Sequence, residues 1–204
     1  MRVVPDGCID IVWTEGSGTI VVGPNTRAFL VALSPGTRVA GVRLHPGAAP
    51  SLLGVDAAAL RDGSVAIDDV WGDPGRRLAE ALDDQPDRGR VLLSALAARA
   101  PRAAAPDPLV RAAVARLDDP RVGVRRLACE LGVSERQLRR RFESAVGYGP
   151  KRLGRVLRLT RALAAAHAGE ELGRVAFEAG YADQAHFAND CRSLAGVAPS
   201  ALLA

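Results

Sequence analysis

Lysine is almost missing from this sequence: Lys151 stands alone, so 26 of the 27 basic side chains are arginine. Positive charge is therefore carried by a planar, permanently ionised fork rather than by a flexible ammonium. Aromatic residues are scarce as well. Eight in 204 residues cannot line a large aromatic cleft, and Trp13, Phe29 and Trp71 read as core before they read as pocket. The three cysteines, Cys8, Cys129 and Cys191, lie far apart with no CxxC spacing, which excludes a disulfide frame and fits reduced thiols. No apolar run approaches the roughly 18 residues that span a bilayer. Met1–Gly7 lacks the apolar core and cleavage site of a signal peptide, so the expectation is a cytoplasmic protein with no membrane partner.

Catalytic signatures are also missing. There is no Gly-x-Ser-x-Gly elbow, P-loop, HExxH or dinucleotide fingerprint. The acid pairs Asp83-Asp84 and Asp118-Asp119 fall near expected helix ends, where solvated surface is the default reading. Cys8, Asp10 and His45 are ligand types that zinc accepts, yet no fourth ligand stands at a fixed spacing. The expectations are no enzyme, no cofactor and no metal site.

What is there is unevenly distributed charge. The chain carries +4, but residues 1–106 hold 11 bases and 12 acids, while residues 107–204 hold 16 bases and 11 acids. The excess narrows to Ser134–Arg161, where nine bases face two acids, Glu135 and Glu143. A basic stripe of this density is the electrostatic footprint of a polyanion partner, although a solvated helix face would look the same from charge alone.

Patterning divides the chain at the same place. Ile9–Trp13, Thr19–Val22, Arg27–Leu33 and Arg38–Leu44 are short β-branched or apolar runs between Gly/Pro/Asn turns. Helical spacing follows over Ala48–Leu53, Pro74–Leu82 and Arg88–Arg99. This predicts an α+β domain over residues 1–100, suited to ligand sensing or dimerisation. Residues 101–106, with two prolines among small side chains, read as a linker. Residues 107–204 read as all-α. Asp107-Pro108 opens a helix, Ser134…Gln137 is a capping box, and Gly149-Pro150 starts a helix of about 18 residues, roughly 27 Å long. Two further helices are expected over Leu172–Ala179 and Gln184–Leu194.

This second region repeats itself. Ala128…Gly132 recurs 48 residues later as Ala176…Gly180, and Gly147-Tyr148-Gly149-Pro150 recurs after 49 as Gly196-Val197-Ala198-Pro199. Leu138 and Phe187 fill matching apolar positions. A small residue lets one helix approach the next, a glycine turns the chain, and Ser134 or Asp183 caps the helix that follows. This is the grammar of a helix-turn-helix, written twice with a basic helix between. Two such units joined by that helix could enter successive major grooves about 34 Å apart.

The run Gly173-Arg174-Val175-Ala176-Phe177-Glu178-Ala179-Gly180-Tyr181-Ala182-Asp183-Gln184-Ala185-His186-Phe187, with Gly196…Pro199, resembles the second helix-turn-helix signature of the AraC/XylS bacterial regulators. Leu127-Ala128 and Ser134…Leu138…Arg140…Phe142…Gly147…Pro150 match the first, so the resemblance covers about residues 107–203. The first 100 residues are similar, through Pro5-Asp6-Gly7-Cys8-Ile9-Asp10, Val22-Gly23-Pro24 and Gly41-Val42-Arg43-Leu44, to a less-characterised domain of some members. There the resemblance implies a reduced cupin-like fold. For function it implies sequence-specific transcription regulation. The implied partners are double-stranded promoter DNA, a small-molecule effector at the N-terminal domain, RNA polymerase and a second copy of the chain. The competing reading is a ligand-binding or protein-interaction module whose helix-turn-helix region has lost DNA recognition.

Carried onto this sequence, the resemblance puts Ser134, Arg136, Gln137, Arg139 and Arg140 in the first recognition helix and Gln184, Ala185, His186 and Asn189 in the second. Lys151, Arg152 and Arg155 on the linking helix suit phosphates or internal pairs. Arginine reads guanine, and Gln or Asn reads adenine, by paired hydrogen bonds. Two departures weaken the second unit: Asn189 stands where the family usually has a base, and Cys191 where it has an aromatic. Residues 162–204 also hold two arginines against five acids.

Overall fold

The computed structural model describes residues 1–203. Strands β2 (Ile9–Thr14), β3 (Gly18–Val22), β5 (Val39–Leu44) and β6 (Ser64–Ala66) form an antiparallel sheet in the order β5-β2-β3-β6. Strands β1 (Arg2–Val3) and β4 (Phe29–Leu30) form a separate two-stranded ribbon. The register opposes Ile11 to Val21 on one side and to Val42 on the other. Because side chains alternate across a strand, Ile9, Ile11, Trp13 and Val21 all turn to one face and are buried.

That face is covered by helices α1 (Ala49–Leu53), α2 (Ala57–Leu60), α3 (Ile67–Trp71), α4 (Asp73–Asp84) and α5 (Arg88–Arg99), whose Leu53, Leu60, Ile67, Leu82 and Leu92 complete the core. Trp13 donates its indole N–H to Asp83 at 2.7 Å and lies under the Arg88 guanidinium. Trp13 and Trp71 are therefore core, as their scarcity suggested.

Two expectations shift here. Arg27–Leu33 pairs as a strand only over Phe29–Leu30, because its backbone is shared between neighbours: Ala28 N–H donates to Leu194 of the C-terminal domain, and Val31 N–H to Met1. Strand β6 and helices α2 and α3, at three to five residues, are too short to show a period. The cupin-like expectation reduces to an open sheet with a ribbon across a portion of its outer face.

A 3₁₀ turn at Ala100–Arg102 leads into the expected linker. Asp107 then caps α6 (Pro108–Leu117) by accepting from Leu109 and Val110. Helices α7 (Val124–Glu130) and α8 (Glu135–Val146) form the first helix-turn-helix, and α10 (Leu172–Glu178) and α11 (Gln184–Ala195) the second. The 18-residue α9 (Pro150–His167) joins them, and α12 (Pro199–Leu203) follows. Helix α9 spans two cores. Leu153 belongs with Leu127, Leu138 and Phe142; Val156, Leu159 and Leu163 belong with Val175, Phe187 and Leu194.

The two domains are docked against each other. Gly7, at φ +85°, lies so close to α9 that a Cβ there would come within 2.7 Å of Leu153 Cδ1. Only glycine has both the backbone freedom and the room. The contacts converge on the carbonyl ends of both recognition helices. Arg61 donates to Gly147 at 3.3 Å and Arg2 to Ala195 at 2.9 Å, placing a guanidinium where each helix dipole is negative. Ser144 Oγ also donates to Asp56 at 2.7 Å.

Candidate nucleic-acid interface

The two units share one construction. Val133 N–H donates to Ala128 at 3.0 Å, and Tyr181 N–H to Ala176 at 2.9 Å. Gly132 and Gly180, at φ +66° and +82°, follow the two alanines with left-handed turns. Both alanines are buried, so the helix pair closes tightly. Ser134 accepts from Gln137 N–H at 3.2 Å and Asp183 from His186 N–H at 2.7 Å, capping α8 and α11.

In the first unit the cap is reciprocal. Gln137 Oε1 turns back to accept from Ser134 N–H and Oγ at 2.9 and 3.0 Å. The polar groups of Ser134 and the Gln137 carbonyl are thus spent on launching the helix, leaving the arginines to face outward. Leu138, Phe142 and Val146 line the buried side, while Arg136, Arg139 and Arg140 are exposed on the other. Arg139 pairs with Glu143 at 2.8 Å, an exposed i,i+4 contact worth only a few tenths of a kcal/mol. Arg141, next along, pairs with Asp107 at 3.0 Å and so braces α8 against the start of α6.

Helix α8 and the start of α9 enclose an open groove of about 620 Å³. Arg136, Arg139, Lys151, Arg152 and Arg155 all line it. Residues from two separate stretches of sequence, the recognition helix and the linking helix, therefore present one basic surface. Arg140 is exposed but lies outside it. Within the groove the cations differ. Lys151 is exposed and forms no ion pair among the described residues, while Arg152 donates to the Thr26 carbonyl of the N-terminal domain at 3.0 Å.

Arg155 is drawn inward. It reaches Asp190 of α11 at 2.7 Å, and Arg158 reaches the other oxygen of the same carboxylate at 2.9 Å. Asp190 is 7% exposed, and Arg158 also stacks over the Tyr181 ring at 4.2 Å. Helical period alone puts Arg158 on the outside; one buried acid turns it in. Sequence reasoning passed over Asp190, although its position between Phe187, Cys191 and Leu194 is a legible signal: an acid on the apolar face of a helix must find a cation.

The second recognition helix offers a quieter surface. Gln184, Ala185 and Asn189 are exposed. Asn189 Oδ1 accepts from Arg192 at 2.8 Å, which leaves its amide N–H groups outward. His186 is half-buried, packed edge-on against Tyr181 at 5.1 Å. Cys191 fills the aromatic position as a fully buried thiol, and burial pushes it up to about 11. Neither Cys8, Asp10 nor His45 belongs to any metal-competent cluster among the described residues.

Known proteins resemble separate parts of this chain and its fold as a whole. Residues 127–204 match a helix-turn-helix domain family, and residues 1–66 match a domain of unknown function, DUF6597. No curated protein matches the chain. Over 99% of its length it is similar in fold to ToxT from Vibrio cholerae, at 14% identity and a TM-score of 0.54, covering 95% of that chain. A ToxT structure with unsaturated fatty acid bound gives 13% identity and 0.51, with 99% of this chain and 92% of that one covered. A transcriptional regulator with an AraC-type DNA-binding domain from Chromobacterium violaceum shares 24% identity, at a TM-score of 0.44, over 47% of this chain and 89% of that one.

Proposed function

We infer that this chain is an AraC-type transcription regulator that occupies promoter DNA mainly through its first helix-turn-helix unit, a reading supported by its helix-turn-helix family match and its two-domain fold. The observation that carries this reading is the shared basic groove of α8 and α9. Arg136 and Arg139 stand at the exposed start of a helix that enters the major groove by its N-terminal residues, where a bidentate contact to guanine is worth about 1–3 kcal/mol. Arg140 and Lys151 flank them as phosphate contacts. Arg152 and Arg155, held by Thr26 and Asp190, add field rather than free hands. Gln184, Ala185, His186 and Asn189 read the second groove segment with little phosphate attraction of their own.

The N-terminal domain is then the receiver of a small-molecule signal, and its bonds to both recognition helices give that signal a path. ToxT has an unsaturated fatty acid bound in one of its structures. A bipartite operator needs only one chain, so a homodimer would extend recognition rather than create it. Contact with RNA polymerase and a cytoplasmic location belong to the same reading. No helix among the described residues is long and apolar enough to cross a membrane.

Selection of genomic fragments by the purified protein, with affinity for the best site measured at two salt concentrations, tests this directly. The expected result is a shared motif in two halves, one strong and one weak, separated by a helical turn of DNA. No shared motif and no salt-sensitive retention would favour the module that has lost DNA recognition.

A further inference from the structure

The outer face of the sheet breaks the usual alternation. Where a strand face turned from the core ordinarily presents polar side chains, this one presents Val12, Ile20 and Val22, half-buried. The β1–β4 ribbon lies across them and encloses a cavity of about 280 Å³, with Phe29 on the ribbon side. At roughly 30 Å³ per non-hydrogen atom, the liquid share of a water molecule, this admits a ligand of about nine heavy atoms.

The polar end of the cavity is acidic. Arg43 is bound by Asp6 at 3.0 Å and by Asp10 at 3.0 Å, so at this end two carboxylates meet one guanidinium, while the other cation of the lining, the Met1 ammonium, is held at the Val31 carbonyl. The neighbouring Cys8 thiol feels the carboxylates: burial first, then the Asp6 charge, pushes it up to about 12, so it stays neutral. An anionic head would meet that excess carboxylate, whereas an ammonium would replace some of what Arg43 supplies. The Phe29 ring offers a second attraction for a cation.

We propose that this cavity binds a small amphipathic amine, its aliphatic or arylalkyl tail lying among Val12, Ile20 and Val22 and its ammonium at Asp6 and Asp10. The proposal rests on the N-terminal domain being the receiver of the signal and names the class of molecule received. It also supplies a route outward. Pro5, Asp6 and Cys8 line the cavity, and Gly7 between them packs on Leu153 and beside Tyr148, in the turn that closes the first recognition helix. A ligand that draws Asp6 away from Arg43 moves the loop that touches the DNA-binding domain.

Thermal unfolding of the full chain without DNA, with n-octylammonium chloride, n-octanol or sodium n-octanoate below their micelle concentrations, tests it. The amine at tenfold its dissociation constant should raise Tm by about 3 °C, the alcohol by less, and the carboxylate not at all. Asp10→Asn should shrink the amine shift, and Val12→Trp, which fills the cavity, should remove it. Should Val12→Trp fail to melt cooperatively, Ile20→Phe serves the same purpose. An octanoate shift equal to the amine's, an amine shift unchanged in the filled variant, or no shift from any probe overturns the proposal. Fragment selection judges the regulator separately: enrichment without an amine shift removes this site and leaves DNA binding, and an amine shift without enrichment does the reverse.

Discussion

The two helix-turn-helix units have the same backbone and opposite electrostatics. Both use a buried alanine, a left-handed glycine and a side-chain cap to set one helix against the next. Yet the first turns a cluster of arginines outward, while the second keeps an acid on its inner face that captures Arg155 and Arg158 of the linking helix. The positions that build a helix-turn-helix are thus separable from those that set the charge of its surface. A repeated motif guarantees two similar shapes; it does not guarantee two similar grips.

That contrast is most sharply broken by removing the first unit's arginines. Arg136→Ala with Arg139→Ala should lower affinity for the selected site by about 2–6 kcal/mol, taking 1–3 for each bidentate pair, and lower non-specific binding far less. Equal losses in a competition titration would mean that these arginines touch only phosphates. Asp190→Ala should destabilise the protein by about 3–5 kcal/mol, because it leaves two guanidiniums at a partly buried site without their acid. Urea unfolding measures this, and a change under about 1 kcal/mol, the range of an exposed pair, would show that the buried acid contributes little to stability.

The turn glycines give a finer comparison. At Gly132 a Cβ would meet open space, whereas at Gly180 it would come within 2.7 Å of Pro120 Cβ. Gly132→Ala should therefore cost about 1–2 kcal/mol of left-handed strain, and Gly180→Ala about 1–3 kcal/mol more from overpacking. Equal costs in denaturant would place the asymmetry elsewhere. Lys151→Ala should reduce the salt slope of DNA binding by about one unit with no change of sequence preference. Arg152→Ala should lower the slope by less and also loosen the interdomain contact to Thr26, visible as faster hydrogen exchange there.

The smallest effect is chemical. Thiolate is the reactive species, so iodoacetamide near pH 8 should label the exposed Cys129 first. Cys191 and Cys8, pushed up to about 11 and 12, should lag at that pH. Rapid labelling of Cys191 in native protein would mean that the core around it opens readily.

Much of the fold and of the basic surface was legible in the sequence. The helices of residues 107–204 carry their own start and stop signals: Asp107-Pro108, Ser134…Gln137, Gly149-Pro150 and the paired glycines are local chemistry, and the structure begins and ends its elements at or within a residue or two of them. That Arg136 and Arg139 face away from the core side of α8, and Lys151 away from that of α9, followed from helical period; that they meet in one groove did not. The N-terminal domain was legible where strands alternate cleanly, as in Ile9–Thr14, and illegible at α2, α3 and β6, where too few residues exist to reveal a period.

The sequence by itself therefore determined the helices of residues 107–204, the repeat and the sign of each region's charge, because capping, turn geometry and net charge are properties of neighbouring residues. Tertiary structure alone decided which charges remain free. Arg155 and Arg158 look as available as Lys151 until Asp190, more than thirty residues away, folds against them. The same holds for the docking of Arg2 and Arg61 on two helix ends, and for the enclosed space above Val12. Ion pairing and enclosure depend on distances in space, which chain order does not record.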